Sequence, residues 1–349
     1  MAPQPGMATR RTRSIRLDNR AVAVLVGSET LLGREIRDIA TTSVPELELR
    51  LIAADHEKPG TLTRQGDEPA VVEEFVPENL TGAGILFLAG SPESSRKALD
   101  FYDGSAAIVD LTYASEERPD ARLRAPSVET ERDLDPGSVH VIAHPAAIAL
   151  ALFLRRLQAQ DPIRRAVVQI LAPASEHGAA GVEELQNQTV SLLSFKKLPH
   201  AVFDTQLGFT LLARYGEEAP ASLEDSELRI ERHLATLLAL PGDGADPPMP
   251  SLRVIQAPVF HGFSFSAWVQ FESNPGVEAL ESSLLAGTIE VRGMEVEPPN
   301  NVGQAGQSGI AVGAIAPDRN DAEACWFWLV ADNLRLMAEN AVAVARELV

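Results

Sequence analysis

The segment Gly27-Ser28-Glu29-Thr30-Leu31-Leu32-Gly33 is the first place in the chain where residue types and spacing could do chemistry. A glycine lets the backbone turn tightly, and the unpaired N–H groups that open a following helix can hold a phosphate. Gly27, Thr30, Leu31 and Gly33 are therefore candidate dinucleotide contacts. The middle glycine of the usual pattern is Thr30, whose branched side chain obstructs a pyrophosphate if that position faces the ligand. Asp55 follows about 20 residues beyond the loop, where a ribose-binding acid is expected. It reads equally well as a solvated acid at a strand end. Lys58 and Arg64 suit a 2′-phosphate, so NAD and NADP both stand as cofactors. Gly90, closing a later apolar run, joins the candidate cofactor contacts.

Other reactive side chains are few. Cys325 is the single cysteine, and beside Trp326 and Trp328 it reads as a small buried hydrophobe. Ser175, Glu176 and His177 are adjacent, but neighbours along a chain rarely converge on one point, and Pro173 and Gly178 mark a loop. With one cysteine there is no internal disulfide and no Cys/His spacing for zinc.

These residues need a scaffold, and 349 residues imply two domains or one large domain with an insertion. The hydrophobic fraction of 45% can supply a sizeable core. A net charge of -19 argues against nucleic acid and anionic membranes as partners. No apolar run reaches the roughly 18 residues needed to span a bilayer, and the composition suits a cytoplasmic protein. Residues 1–20 carry Arg10, Arg11, Arg13, Arg16 and Arg20 and read as a disordered tail.

The continuous apolar run 21–26 has the pattern of a strand buried on both faces. Further strands are expected at 49–54, 85–89, 107–111 and 139–143, with helices between them. Residues 56–80 read as loop. Strands alternating with helices predict a Rossmann-like, doubly wound parallel sheet over 21–146. A second α+β domain is expected over 147–330, with strands at 166–171, 252–258, 263–271, 287–292, 310–315 and 326–331. Residues 331–349 form a final helix that packs back on the first domain. The fold class is α/β.

The Gly27–Gly33 loop, Val141-Ile142-Ala143-His144-Pro145, Gly181-Val182-Glu183-Glu184-Leu185, Pro258-Val259-Phe260-His261-Gly262 and Val330-Ala331-Asp332-Asn333-Leu334-Arg335 occur in a fixed order. In that order and spacing, continued by Asn340 and Ala341, the chain resembles the aspartate-semialdehyde dehydrogenase family from about residue 21 onward. The resemblance implies NAD(P) binding, with Asn333 among the cofactor contacts, and dimerisation through the second domain. Such enzymes reduce an acyl phosphate to an aldehyde with a cysteine thiolate, a histidine acid/base and anion-holding arginines. Here Ala147 stands at the cysteine position, Phe263 at the histidine position, and Gln256 and Glu116 at the arginine positions. Gln169 falls where the family orients its substrate with a glutamine. His261, two residues before Phe263, would share its face on a strand. Glu184–Thr189 and Phe203–Leu207 resemble the Usg-type homologues, which lack the cysteine.

Two functions follow. The first is a pseudoenzyme that binds NAD or NADP and dimerises, as a homodimer or as a heterodimer with an active relative. The alternative is an NAD(P)-dependent oxidoreductase acting on an aldehyde or acyl substrate by cysteine-independent chemistry.

Overall fold

The computed structural model describes residues 21–102, 104–130, 139–242 and 245–348. The basic segment 1–20 lies outside the described residues. In chain order the elements are β1 (Ala21–Val26), α1 (Leu31–Ser43), β2 (Leu47–Ile52), β3 (Leu62–Gln65), β4 (Glu68–Val71), α2 (Pro77–Leu80), β5 (Ile85–Leu88), α3 (Pro92–Asp100), β6 (Ala107–Asp110), β7 (Ala121–Arg124), β8 (Val139–Ile142) and α4 (Pro145–Gln158). There follow β9 (Ile163–Ala172), α5 (Gly178–Leu193), α6 (Leu223–Leu238), β10 (Ser251–Gln256), β11 (Phe263–Phe271), α7 (Val277–Leu284), β12 (Ile289–Arg292), β13 (Ile310–Pro317), β14 (Ala324–Ala331) and α8 (Asn333–Leu348).

The first sheet has the order β2-β1-β5-β6-β8-β7, and every pair in it is parallel. Its strands read as continuous apolar runs because helices cover both faces. On one face α1 and α8 bury Ile36, Ala338, Ala341 and Val344 against Leu25 and Phe87. On the other, Val24, Leu86 and Ile108 pack with Ala98 of α3. Because the strands are parallel, their carboxyl ends share one edge. The chain order reverses between β1 and β5, the switch point at which open α/β sheets bind ligands.

The second sheet is mixed, in the order β10-β9-β11-β14-β13-β12. On β11 the inward residues Phe263, Phe265, Ala267, Val269 and Phe271 alternate with Ser266, Trp268 and Gln270 on the opposite face. Helix α4 packs against α6, α7, α8 and β9 and is buried from Pro145 through Leu154, as a helix apolar all round must be. This helix carries Ala147. Among the described residues no helix is long and apolar enough to cross a membrane.

The segment 56–80, expected as loop, contains the β3–β4 hairpin. Its residues are exposed or half-buried, so no apolar run announces it, and Gly66 in positive φ makes the turn. The edge strand β7 was also not expected: it is only four residues long, with two arginines, and its most buried residue is Arg124, which pairs with Glu129 and Glu347.

Candidate active-site cleft and phosphate turn

The Gly27 turn lies at the switch point. Gly27 has φ +87, and a Cβ there would stand 2.4 Å from the Gly90 nitrogen, so the two glycines let the ends of β1 and β5 touch. A Cβ on Gly33 would stand 2.0 Å from the Gly27 carbonyl oxygen. Both α1 and the turn are thus pressed together by the absence of side chains. The Thr30 hydroxyl is directed into the turn. It accepts from the Gly33 N–H at 2.9 Å and lies 2.8 Å from the Gly27 carbonyl and 2.9 Å from that of Ala89. Thr30 is therefore the N-cap of α1, its hydroxyl committed to the turn. Leu31 opens the helix, and its N–H lies outside the intrahelical ladder.

Asp55 sits in left-handed backbone at φ +52. Its carboxylate accepts from the Ser91 N–H at 2.8 Å and the Ser91 hydroxyl at 2.6 Å, at the start of α3. The acid is thus engaged as a cap across the switch point. Glu57 closes the same corner. Its carboxylate accepts from the N–H of Glu29 at 2.9 Å and of Ala54 at 3.0 Å. Burial raises the Glu57 carboxyl above its ordinary range, and the nearby Glu29 adds to the rise. The Glu29 side chain pairs instead with Arg37, which also donates to the Ser28 carbonyl and to Thr63 and the Arg64 carbonyl of β3.

The second half of the site lies at the carboxyl ends of β6 and β8. Asp110, fully buried, accepts from the N–H groups of Thr112 and Ser115 and shapes the loop that carries Tyr113 and Glu116. Tyr113, in left-handed backbone, stacks on His144 at 6.1 Å between ring centroids. Arg229 of α6 lies over the Tyr113 ring at 4.7 Å. Burial, with the negative charge of Glu176, Glu116 and Asp110, raises the Tyr113 phenol well above its ordinary range, so it stays neutral.

His144 precedes α4. Its Nδ1 accepts from the Ala146 N–H at 3.2 Å, which leaves Nε2 to donate to Glu176 at 2.7 Å. Burial works to raise the Glu176 carboxyl, yet His144, with His177 and Arg229, outweighs it and holds the acid below its ordinary range. His233 Nδ1 accepts from the His144 N–H at 2.9 Å, so its Nε2 donates to Glu116 at 3.1 Å. Burial first, then the His144 ring, push His233 down to about 4. Glu116 also accepts from Arg229 and Arg232, which outweigh its burial and keep it below its ordinary range. Glu116 is thus neutralised by two arginines and bonded to His233.

Ala147 is 0% exposed and Phe263 1%, and the Phe263 ring lies 5.7 Å from that of His144. Gln256 is fully engaged: its amide donates to the Ala172 and Ala257 carbonyls and its oxygen accepts from Tyr215. Ser175, Glu176 and His177 reach three separate partners, Asn333, His144 and Tyr215. Asn333, also buried, accepts from the Gly262 N–H at 3.1 Å as well as from Ser175 at 3.2 Å. Its side chain ties α8 to the second domain.

Two expected site residues are placed elsewhere. Gln169 pairs with Ser266 on the outward face, opposite Phe263, because successive strand residues alternate faces. His261 precedes β11, and Gly262 at φ +82 breaks the extended backbone, so the shared-face relation to Phe263 does not hold. Cys325 pairs with Val269 whereas Phe263 pairs with Ala331, which separates the thiol from the cleft by on the order of 20 Å along the ladder. Tyr113, His144, Arg229 and His233 were not anticipated. The one local signal was His144-Pro145, a polar cap followed by proline at a helix start.

Glu184 and Gln188, one turn apart on α5, hold the loop that follows. Glu184 accepts from the Val202 and Phe203 N–H groups, and Gln188 accepts from those of Leu207 and Gly208. The Glu184–Thr189 and Phe203–Leu207 stretches are thus joined in space.

Residues 154–336 match the family model described as semialdehyde dehydrogenase, dimerisation domain. An aspartate-semialdehyde dehydrogenase of Aquifex aeolicus is 28% identical over 337 residues, covering 93% of this chain and 97% of that protein. A USG-1 protein homolog of Pseudomonas aeruginosa is 31% identical over 278 residues, 78% of this chain and 80% of its own length. The structure of a probable aspartate-semialdehyde dehydrogenase from Pseudomonas aeruginosa superposes with a TM-score of 0.79 at 27% identity, covering 95% of this chain and 98% of that one. With a parallel nucleotide-type sheet, a mixed second sheet and these matches along both, the chain belongs to the semialdehyde dehydrogenase family, alongside the aspartate-semialdehyde dehydrogenases and the USG-1 homologues.

Proposed function

We propose that this protein is a dimeric, dehydrogenase-like pseudoenzyme: it retains the family's scaffold and a dinucleotide turn but does not run thiol-dependent acyl transfer. One observation carries this reading. Ala147 and Phe263 are buried, and the ionisable groups beside them, His144, Glu176, His233 and Glu116, are hydrogen-bonded to one another. Without a nucleophile no thioacyl intermediate forms, and a phenyl ring moves no proton.

NAD or NADP is the cofactor the turn would take. Gly27, Gly90 and Gly33 supply the backbone shape, but the Glu57 carboxylate lies on the Glu29 N–H, so a phosphate does not fit there until that carboxylate moves. The second sheet would meet a second copy of the chain. Val167, Trp268 and Trp326 lie in one row of its uncovered face, with Val167 45% and Trp326 44% exposed. This supports a homodimer.

The test is a steady-state assay with NADP(H) and NAD(H) against aspartate semialdehyde plus phosphate and against the acyl phosphate, alongside sedimentation. A dimer without turnover is expected; turnover sensitive to a thiol reagent would overturn the reading. A second reading, cysteine-independent oxidoreduction of an aldehyde, is favoured by the His144–Glu176 pair beside Tyr113, an acid/base geometry in the cleft. Turnover abolished by His144→Gln would establish it.

A further inference from the structure

The place that would receive a dinucleotide phosphate already holds an anion, and the anion belongs to the protein. Glu29 lies two residues after Gly27 in the turn, and Ala54 follows β2. One carboxylate bridges both N–H groups, at 2.9 and 3.0 Å. It is held in place from behind, because the Glu57 N–H donates to the Ala54 carbonyl at 2.8 Å. The Glu29 side chain is drawn away by Arg37, which leaves its main-chain N–H facing Glu57. A helix-opening turn attracts negative charge through its oriented N–H groups, and a carboxylate satisfies that attraction as a phosphate oxygen would.

We propose that Glu57 is an internal competitor for the phosphate turn, so that a dinucleotide binds only when the Glu57 carboxylate leaves the Glu29 N–H. This rests on reading Gly27–Gly33 as the dinucleotide site. Two consequences follow from charge and place. An incoming pyrophosphate loses one N–H donor and meets a negative charge beside it. The end of β2 is where the adenosine ribose lies in such sheets, so a 2′-phosphate would meet Glu57 as well as Asp55. Removing the Glu57 charge should therefore favour NADPH more than NADH.

The experiment is a calorimetric titration of the full chain with NADH and with NADPH, for wild type, Glu57→Gln, Glu57→Ala and the exposed hairpin control Glu68→Gln, each checked by thermal unfolding. Glu57→Ala should tighten binding at least tenfold, with the larger gain for NADPH. Glu57→Gln, which keeps an acceptor but loses the charge, should fall between it and wild type, and Glu68→Gln should match wild type. If Glu57→Ala fails to fold, Glu57→Gln carries the test. Measurable but equal affinity in wild type and both Glu57 variants, or weaker affinity in the variants, would overturn the competition while leaving the dinucleotide reading intact. No binding by any of them at millimolar ligand would overturn both.

Discussion

The main-chain N–H of His144 donates to Nδ1 of His233 at 2.9 Å, and this bond between residues 89 apart sets the tautomer of His233. It leaves His233 Nε2 as the donor to Glu116. A proton added at Nδ1 would break the bond to His144 and place a buried cation beside a second imidazole and Arg229. Burial first, with the His144 ring and Arg229, therefore wins over Glu116, and His233 is pushed down to about 4 from an ordinary 6.5.

Stability should follow that shift. A depressed value means the contribution is fully present above pH 6.5 and is lost as pH falls from 6.5 through 4. The shift corresponds to about 3 kcal/mol. Urea unfolding across this range should show the loss, and His233→Gln, which keeps an acceptor for the His144 N–H, should flatten it. An unchanged acid limb in the variant would locate the titration in another group.

The contact of α1 with the turn predicts an intolerance at Gly33. A methyl there would meet the Gly27 carbonyl oxygen at 2.0 Å, backbone that cannot rotate away. Gly33→Ala should lower stability by about 1–3 kcal/mol, the usual cost of overpacking. A melting temperature equal to wild type would contradict the packing described.

A thiol introduced at position 147 should not by itself give chemistry. Ala147→Cys places a thiol on a helix buried all round, with the Phe263 ring beside His144 and the Gln256 amide committed to two carbonyls. No acyl-phosphate reduction is expected in the NADPH assay. Turnover by this single variant would mean that another group in the cleft supplies the proton transfer, with His144 the first to be tested.

The row Val167, Trp268 and Trp326 predicts the oligomer. Val167→Glu combined with Trp326→Glu puts two charges into an apolar face and should give a folded monomer by sedimentation, with unchanged circular dichroism. A dimer that survives both changes would place the interface elsewhere.

Much of the architecture was legible along the chain. The run 21–26 and the strand Phe263–Phe271 coincide with β1 and β11, because burial on both faces or on alternate residues leaves a local hydropathy pattern. The residues Ala147, Phe263 and Gln256, at positions where the resemblance implies a cysteine, a histidine and an arginine, were equally visible, since they depend only on residue identity within local motifs. What the tertiary structure alone decided is which groups meet. Glu57 on the Glu29 N–H, Asp55 on Ser91, and His233 between His144 and Glu116 join residues from separate elements, 28 to 117 positions apart. The misplaced face of His261 has a backbone cause in the positive φ of Gly262. Local periodicity records whether a side chain is buried; its partner is chosen by how distant elements pack, and that choice draws the Gly27 turn and the surroundings of His144 into two polar networks.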